Sequence, residues 1–350
     1  MAMRWDNLSA PPDEGIPDGA APATPPLPLA LPGAIARTFD TPGFAGMTFY
    51  EVRAKSIINR VPGTSRVPFE WTINPYRGCS HACKYCFARN THTYLDLDAG
   101  ADFDRKVIVK VNAGELVRRE LAAPRWRGAH IAMGTNVDCY QRAEGRYRLM
   151  PPIIEALRDF ANPFSILTKG TLILRDLPPL RQAAEVTRVG ISYSVGFVDE
   201  ELWRAVEPGT PSPRRRLDAV RQLTDAGFEV GVLMAPILPG LSDDDESIDA
   251  TVAAIAASGA TSVTPLALHL RPGAREWYAQ WLAREFPQLV PRYRQLYRAG
   301  AYAPQAYQRE LTARVRMAAR RHGLDRGERG DNRRLPEPPS AAPAEQLTLL

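Results

Sequence analysis

The sequence predicts an α/β fold: a partial (β/α)6 TIM-type barrel with a C-terminal helical extension and disordered termini. Three observations carry this. Strand-like and helix-like stretches alternate about six times between residues 69 and 270, with short connections, the order that yields a parallel sheet with right-handed crossovers. Beyond Pro272 the apolar spacing is helical only. Both ends are rich in Pro and Ala, and no helical or strand period survives so many prolines.

In chain order, residues 1–45 read as a leader, with Pro11-Pro12, Pro25-Pro26-Leu27-Pro28 and Leu31-Pro32-Gly33. Residues 46–271 form the predicted core. Its first stretch, 47–67, is basic, and residues 69–73 then read as the first strand. Residues 113–121 have helical spacing, with Leu116, Val117 and Leu121 on one side. Residues 130–135 read as a strand, 151–160 as a helix with Pro152 near its start, and 164–169 as a strand. A helix near 180–184 and a strand over 186–195 follow, the latter alternating Val189, Ile191, Tyr193 and Val195 with smaller residues. The helix over 214–226 should end at Gly227. Residues 228–237 are a fifth strand, 243–257 a helix capped by Ser242 or Asp243, and 261–270 a sixth strand. Six units fall short of the eight that close a barrel, so ligands are expected at the C-terminal strand ends of an open one. Residues 272–324 carry three helices, over 275–286, 288–299 and 304–322, which should close or flank the barrel. Residues 325–350 read as a disordered tail.

With 350 residues, 45% of them hydrophobic and 24% charged, the chain has the composition of a soluble globular protein. It holds no run long enough to span a membrane and no apolar signal core near its start, so a cytoplasmic location is expected. The net charge of +5 rests on arginine, lysine being confined to Lys55, Lys84, Lys106, Lys110 and Lys169. A GC-rich coding sequence accounts for that average, which leaves only local clusters to interpret.

Three of the four cysteines fall in Cys79-Ser80-His81-Ala82-Cys83-Lys84-Tyr85-Cys86, directly after the first strand. Thiolates packed this closely bind metal. Three of them leave one position open on a zinc ion, or one iron unligated on a four-iron cube. A zinc knuckle completed by His81 or His92 is the alternative to a [4Fe-4S] cluster.

The spacing C-x3-C-x2-C with Tyr85 before its last cysteine resembles the cluster loop of radical S-adenosylmethionine (SAM) enzymes. With Asn74-Pro75-Tyr76-Arg77-Gly78 before it, the stretch resembles the spore photoproduct lyase-like group, often labelled DNA repair photolyases. The likeness runs from about Thr72 to Leu270. It takes in Thr135-Asn136-Val137-Asp138-Cys139-Tyr140-Gln141, Ile166-Leu167-Thr168-Lys169, Glu207-Pro208-Gly209-Thr210, Arg216-Leu217 and Ala235-Pro236-Ile237. The resemblance implies a [4Fe-4S] cluster on Cys79, Cys83 and Cys86, with SAM chelating the open iron. It further implies an external electron donor and cleavage of SAM to methionine and a 5′-deoxyadenosyl radical. Lys169 is matched to a lysine that pairs with the SAM carboxylate. Gly134 and Thr135 would present backbone to the methionine amino group. Ser192 and Ser194 would bond the ribose, although they read equally as hydroxyls against a packed helix. Ala235 would flank the adenine, and Tyr85 would pack beside adenine or cluster. Glu207 and Arg216 form either a buried ion pair or the support of a cationic loop at Arg214 and Arg215.

Two features set the substrate expectation. The lyase places an extra cysteine, a hydrogen-atom donor, immediately before a Thr-Ser-Asp block, whereas here Gly134 precedes Thr135 and the fourth cysteine is Cys139. Cys139 therefore reads as a buried thiol, with a donor role or a fourth ligand as the alternatives, and thymine-dimer splitting is not implied. The C-terminal Gln346-Leu347-Thr348-Leu349-Leu350 resembles the peptide by which bacterial polymerases and repair proteins dock on the sliding clamp. With Arg214 to Arg216 and a basic stretch from Arg314 to Arg321, it points to DNA or another nucleic acid. A peptide or small-molecule substrate, or a non-catalytic iron–sulfur adaptor at the clamp, are the competing expectations.

Overall fold

The computed structural model describes residues 8–9, 31–62 and 67–324. Six parallel strands form one sheet in sequential order: β1 (Trp71–Ile73), β2 (Ile131–Met133), β3 (Phe164–Thr168), β4 (Val189–Ser194), β5 (Val230–Ile237) and β6 (Ser262–Ala267). Ile58–Arg60 pairs antiparallel with β1 and forms the other edge. Among the described residues, no ladder joins that edge to β6, so the barrel stays open as its six units require. The crossovers supply α1 (Ala113–Leu121), α2 (Met150–Asp159), α3 (Leu177–Val186), α4 (Pro213–Asp225) and α5 (Asp245–Ala257). α6 (Gln305–Arg321) packs on β6 and α5, completing the sixth unit.

The register separates two faces. Ile73, Met133, Ile166, Ile191 and Val230 lie side by side across five strands. They share one core with Leu116 and Val117 of α1, Ile153 and Leu157 of α2, Leu180 of α3 and Val220 of α4. The opposite face carries mostly small residues in register: Ala132, Ser165 and Gly190, then Ser192 and Gly231 beside Leu167. Successive strand side chains alternate between faces, so Ser192 and Ser194 lie away from the helices.

Helix ends follow local chemistry. Ser212 caps α4 by accepting from Arg215 N, with Pro213 at the first helical position, and Gly227 after it takes φ +94°. The cap of α5 is Asp244, which accepts from Ser247 N at 2.8 Å, rather than Ser242 or Asp243. Those two are engaged elsewhere: Ser242 Oγ accepts from Leu238 N, and Asp243 takes Gly240 N, Arg292 and Tyr307.

A second, smaller sheet was not read from the sequence. Thr48–Ala54 runs parallel to Lys106–Lys110 and antiparallel to Ile35–Arg37 and Leu8–Ser9, while Tyr76–Arg77 pairs with Lys106–Lys110. Residues 31–45, placed in the leader by composition, belong to this sheet. Leu31 and Ala34 join Tyr50, Val52, Leu95 and Ile108 in its core, and Phe39 packs on Phe49 with centroids 5.4 Å apart. The apolar residues between the prolines provide what the prolines themselves deny. After β6, Ala274–Glu285 and Val290–Leu296 share a core with Cys83 and Tyr85 of the cysteine loop, the second helix being shorter than the expected 288–299. No helix among the described residues is long and apolar enough to cross a membrane.

Candidate active site

The loop after β1 carries Cys79, Cys83 and Cys86, the first two buried and the third half-buried. Its backbone is fixed from several sides. Cys79 N donates to Phe103 O at 2.9 Å and Lys84 N to Val206 O at 2.9 Å. Gln141, fully buried beyond β2, accepts from Ser80 N and donates to Gly78 O, both at 2.9 Å. Arg89 Nη2 donates to Cys83 O at 2.9 Å and pairs with Asp104 at 2.7 Å. Gly209 N donates to His81 O at 3.1 Å. A Cβ on Gly209 would stand 2.0 Å from Ser80 O, so glycine is required for the residue 206–210 segment to clasp the loop.

The strand ends meet this loop. Lys169, just past β3, donates from Nζ to Ser194 Oγ at 2.8 Å and lies 5.8 Å from the Tyr85 ring centroid. Ser194 Oγ donates in turn to Ala235 O at 2.8 Å. Tyr85 Oη donates to Glu207, and Glu207 pairs with Arg216, both contacts being short. Arg216 also donates to Ser194 O at 2.8 Å and Pro211 O at 3.0 Å. Burial raises the Glu207 pKa, but the charges of Arg216 and Lys169 and the Tyr85 bond outweigh it and hold the carboxyl below its usual range. The expected ion pair is thus present, while Arg214 and Arg215 stay exposed at the start of α4.

The sequence-selected residues therefore fall into two groups. Cys79, Cys83, Cys86, Tyr85, Lys169, Ser194 and Ala235 are gathered by direct contacts or by one turn of chain. Tyr85 spends its hydroxyl on Glu207. Ser192 lies one pleat deeper on the same face, buried. Gly134 takes φ +74°, and a Cβ there would stand 1.8 Å from Leu167 O, so close strand approach alone demands glycine. Thr135 follows it, half-buried. Cys139 is fully buried in the main core, and burial pushes its thiol well above the usual range. Sequence reasoning assigned no role to Asp138 or Gln141, although both lie in a block it quoted. Asp138 accepts from Thr168 Oγ1 at 2.7 Å and Lys169 N at 2.6 Å. It also lies 3.4 Å from His81 Nδ1.

Both histidines considered for zinc have other partners. His81 faces Asp138, and His92 Nε2 donates to Lys106 O at 2.8 Å. Among the described residues, no three His, Cys, Asp or Glu side chains are gathered as ligands of a single metal ion. A cube with one thiolate per iron spaces its ligands more widely. The donor set suits such a cluster: three thiols on one turn, all soft ligands, with no fourth cysteine in the loop. Burial pushes the Cys83 thiol up to about 12 and raises Cys79 and Cys86 too, so binding metal releases protons. Ser80 Oγ, next to Cys79 in the loop, and Asn74 Oδ1, just past the end of β1, are buried with no hydrogen-bond partner in the protein. A polar cofactor at the loop is the kind of group that satisfies such atoms. Two surface clefts, about 280 Å³ between α4 and α5 and about 430 Å³ beneath residues 38–48, lie away from the cysteines.

The cysteine loop follows the first strand of an open (β/α)6 sheet, and Lys169 and Ser194 stand at the ends of β3 and β4 beside it, the place where such sheets bind ligands. The sequence model of the radical SAM superfamily matches residues 73–251, and the chain belongs to that superfamily, whose members use a [4Fe-4S] cluster and SAM. An uncharacterised protein of Mycobacterium tuberculosis is 49% identical over 317 residues, covering 89% of this chain and 92% of its own. One of Methanocaldococcus jannaschii is 29% identical over 203 residues, 57% of this chain and 72% of its own. Among solved structures, a spore photoproduct lyase mutant with bound AdoMet and dinucleoside spore photoproduct matches with a TM-score of 0.59 at 17% identity, covering 78% of each chain. A second mutant of that lyase matches with a TM-score of 0.58, covering 78% of this chain and 79% of its own.

Proposed function

We propose that this enzyme holds its [4Fe-4S] cluster on Cys79, Cys83 and Cys86, cleaves SAM there, and acts on DNA or another nucleic acid in the cytoplasm. The observation that carries the site is the chain of contacts that runs from the Tyr85 ring of the cysteine loop through Lys169 and Ser194 to Ala235. The fold likeness to a lyase bound to a dinucleoside photoproduct supports the substrate half. Cys79, Cys83 and Cys86 would hold the cluster, which when bound and reduced by an external donor would supply the electron for reductive cleavage of SAM. The chain's own groups bind and orient. Lys169 gives its ammonium to the SAM carboxylate, and the backbone of Gly134 and Thr135 meets the amino group. Ser192 and Ser194 offer hydroxyls to the ribose, and the Ala235 backbone borders the adenine. Tyr85, tied to Glu207, fixes the loop, while the helices over it exclude water.

Cys139 contributes a packed, protonated thiol rather than a donor, so thymine-dimer splitting is not the proposed reaction. The stretch from Arg314 to Arg321 spends part of its charge inside the protein, Arg314 on Asp245 and Arg321 on Asp249. Gln346, Leu347, Leu349 and Leu350 lie outside the described residues. The proposal keeps them as a docking peptide for the sliding clamp, which would bring the enzyme to DNA.

The test is anaerobic reconstitution, dithionite reduction with SAM, and assay of 5′-deoxyadenosine with and without DNA. Product is expected, and more of it with DNA. Alanine at any of Cys79, Cys83 or Cys86 should abolish product, and Cys139→Ala should keep the cluster. Full cleavage after losing one of the three would refute the cluster assignment. Product indifferent to DNA would favour a peptide or small-molecule substrate. None from a cluster-loaded sample would favour an iron–sulfur adaptor.

A further inference from the structure

Past the end of β6 the chain builds an aromatic shelf that the proposed SAM chemistry does not use. His269 lies two residues beyond Ala267, on the rim that also carries Lys169 and Ser194. Its ring sits 5.6 Å from Phe87, the residue after Cys86, and 5.6 Å from Tyr302 at a stacked 23°. An isolated bridge pairs His269 with Tyr302, and Leu270 N donates to Ala301 O at 2.7 Å, so the two segments are stitched together. Arg271 lies 5.3 Å over Phe87 and donates to Tyr302 Oη at 3.2 Å. Tyr302 is nonetheless 49% exposed. With His269 stacked on its ring, Tyr302 still keeps a large part of its surface open.

We propose that Tyr302, His269 and Arg271 form a stacking platform for an unpaired base of a nucleic-acid strand, with the Arg271 guanidinium on the adjoining phosphate. This rests on the nucleic-acid reading above and specifies it. An open aromatic face beside an exposed arginine is what base stacking and phosphate pairing require together. A base inside a duplex presents no free face to it, so the strand must arrive single-stranded or with the base turned out. The shelf runs from Tyr302 through His269 back to Phe87, the residue after Cys86, and so links the outer rim to the cysteine loop. The His269 imidazole, pushed down to about 4 by burial, adds a neutral ring to the stack.

The test is fluorescence anisotropy of the full chain with a labelled 12-nucleotide single strand, the same sequence as duplex, and a labelled peptide carrying aromatic and acidic residues. The single strand should bind most tightly. Tyr302→Ala should weaken it about tenfold, and Tyr302→Phe, which keeps the stack, should stay within about twofold. Arg271→Gln should lower the log–log salt slope by about 0.7. Circular dichroism of each exposed-site variant verifies the fold. If the native chain binds the strand and Tyr302→Ala binds it equally well, the platform is refuted while the nucleic-acid reading stands. If the native chain binds neither strand nor duplex, or prefers the peptide, both fall.

Discussion

Replacing Glu207 by Gln should cost more stability than any other single carboxylate change in the site. Glu207 and Arg216 are fully buried. Without the carboxylate, the guanidinium keeps neutral acceptors, among them Ser194 O, Pro211 O and Thr210 Oγ1. An uncompensated buried charge of this kind costs about 3–5 kcal/mol. For a chain of this size, about 2 °C per kcal/mol converts that to a fall of about 6–10 °C in Tm. Arg216→Met should cost a similar amount by stranding the carboxylate. The double variant strands neither charge, so its loss should fall short of the sum by about 2–3 kcal/mol. Urea unfolding of the metal-free protein under reductant, followed by circular dichroism and tryptophan fluorescence, measures all four corners. Additivity within about 0.5 kcal/mol would refute the buried-pair argument. A second readout is iron per chain. Tyr85 loses its charged acceptor in Glu207→Gln, but Lys84 N and Gly209 N still hold the loop to this segment, so iron loading should fall without vanishing.

Gly209→Ala should cut iron incorporation with every cysteine intact, because the new Cβ would stand 2.0 Å from Ser80 O and 2.8 Å from the His81 carbonyl carbon. The overpacking should cost about 1–3 kcal/mol, and normal iron content would contradict it. Lys169→Met should raise the Kd for SAM about tenfold or more in cluster-loaded protein, as loss of a charged hydrogen bond does, measured by calorimetry. Stability should fall on acidification. Burial lowers His92 and His130 to about 4, so the fold keeps them neutral where the unfolded chain takes up protons. The stabilisation is whole above pH 6.5 and is lost as pH falls from there toward 4. At pH 5.5 His92 alone accounts for about 1 kcal/mol. A urea midpoint for metal-free protein that rises between pH 7.5 and 5.5 would contradict the sign.

The main sheet was legible because each strand is a short Val-, Ile- and Tyr-rich run bounded by turns, and because parallel order follows from alternation. β4 and β5 are buried along most of their length, as parallel strands are. The small sheet was not legible, since Thr48–Ala54 and Lys106–Lys110 meet across more than fifty residues and neither signals its partner. The α5 cap was misplaced by one residue or two because Ser, Asp and Asp stand consecutively and only tertiary contacts decide which is spare. Around the cysteine loop, the cysteines stood out by their spacing and Lys169 by its strand-end position, and the structure brings Lys169 beside Tyr85 of that loop. Asp138 and Gln141 received no role because their partners lie 30 to 63 residues away, and a polar block after a strand otherwise reads as loop.

The contacts around the cysteines separate two ways of losing the cluster. The loop backbone is held by Phe103 O, Gln141, Val206 O, Gly209 and Arg89, none of which is a metal ligand. Cys83 and Tyr85 also share a core with Tyr278, Trp281 and Leu282 of the C-terminal helices. The turn is therefore shaped by protein contacts, and a thiol removed by Cys79→Ala or Cys86→Ala takes away a proposed ligand but no hydrogen bond of that frame. Such variants should lose iron with their Tm, measured without metal, within about 2 °C of the parent. Gly209→Ala and Glu207→Gln should lose iron together with stability, because they move the frame and leave the ligands. If the cysteine variants melted as low as the frame variants, the loop would owe its shape to the metal, and the preorganisation argued from these contacts would be wrong.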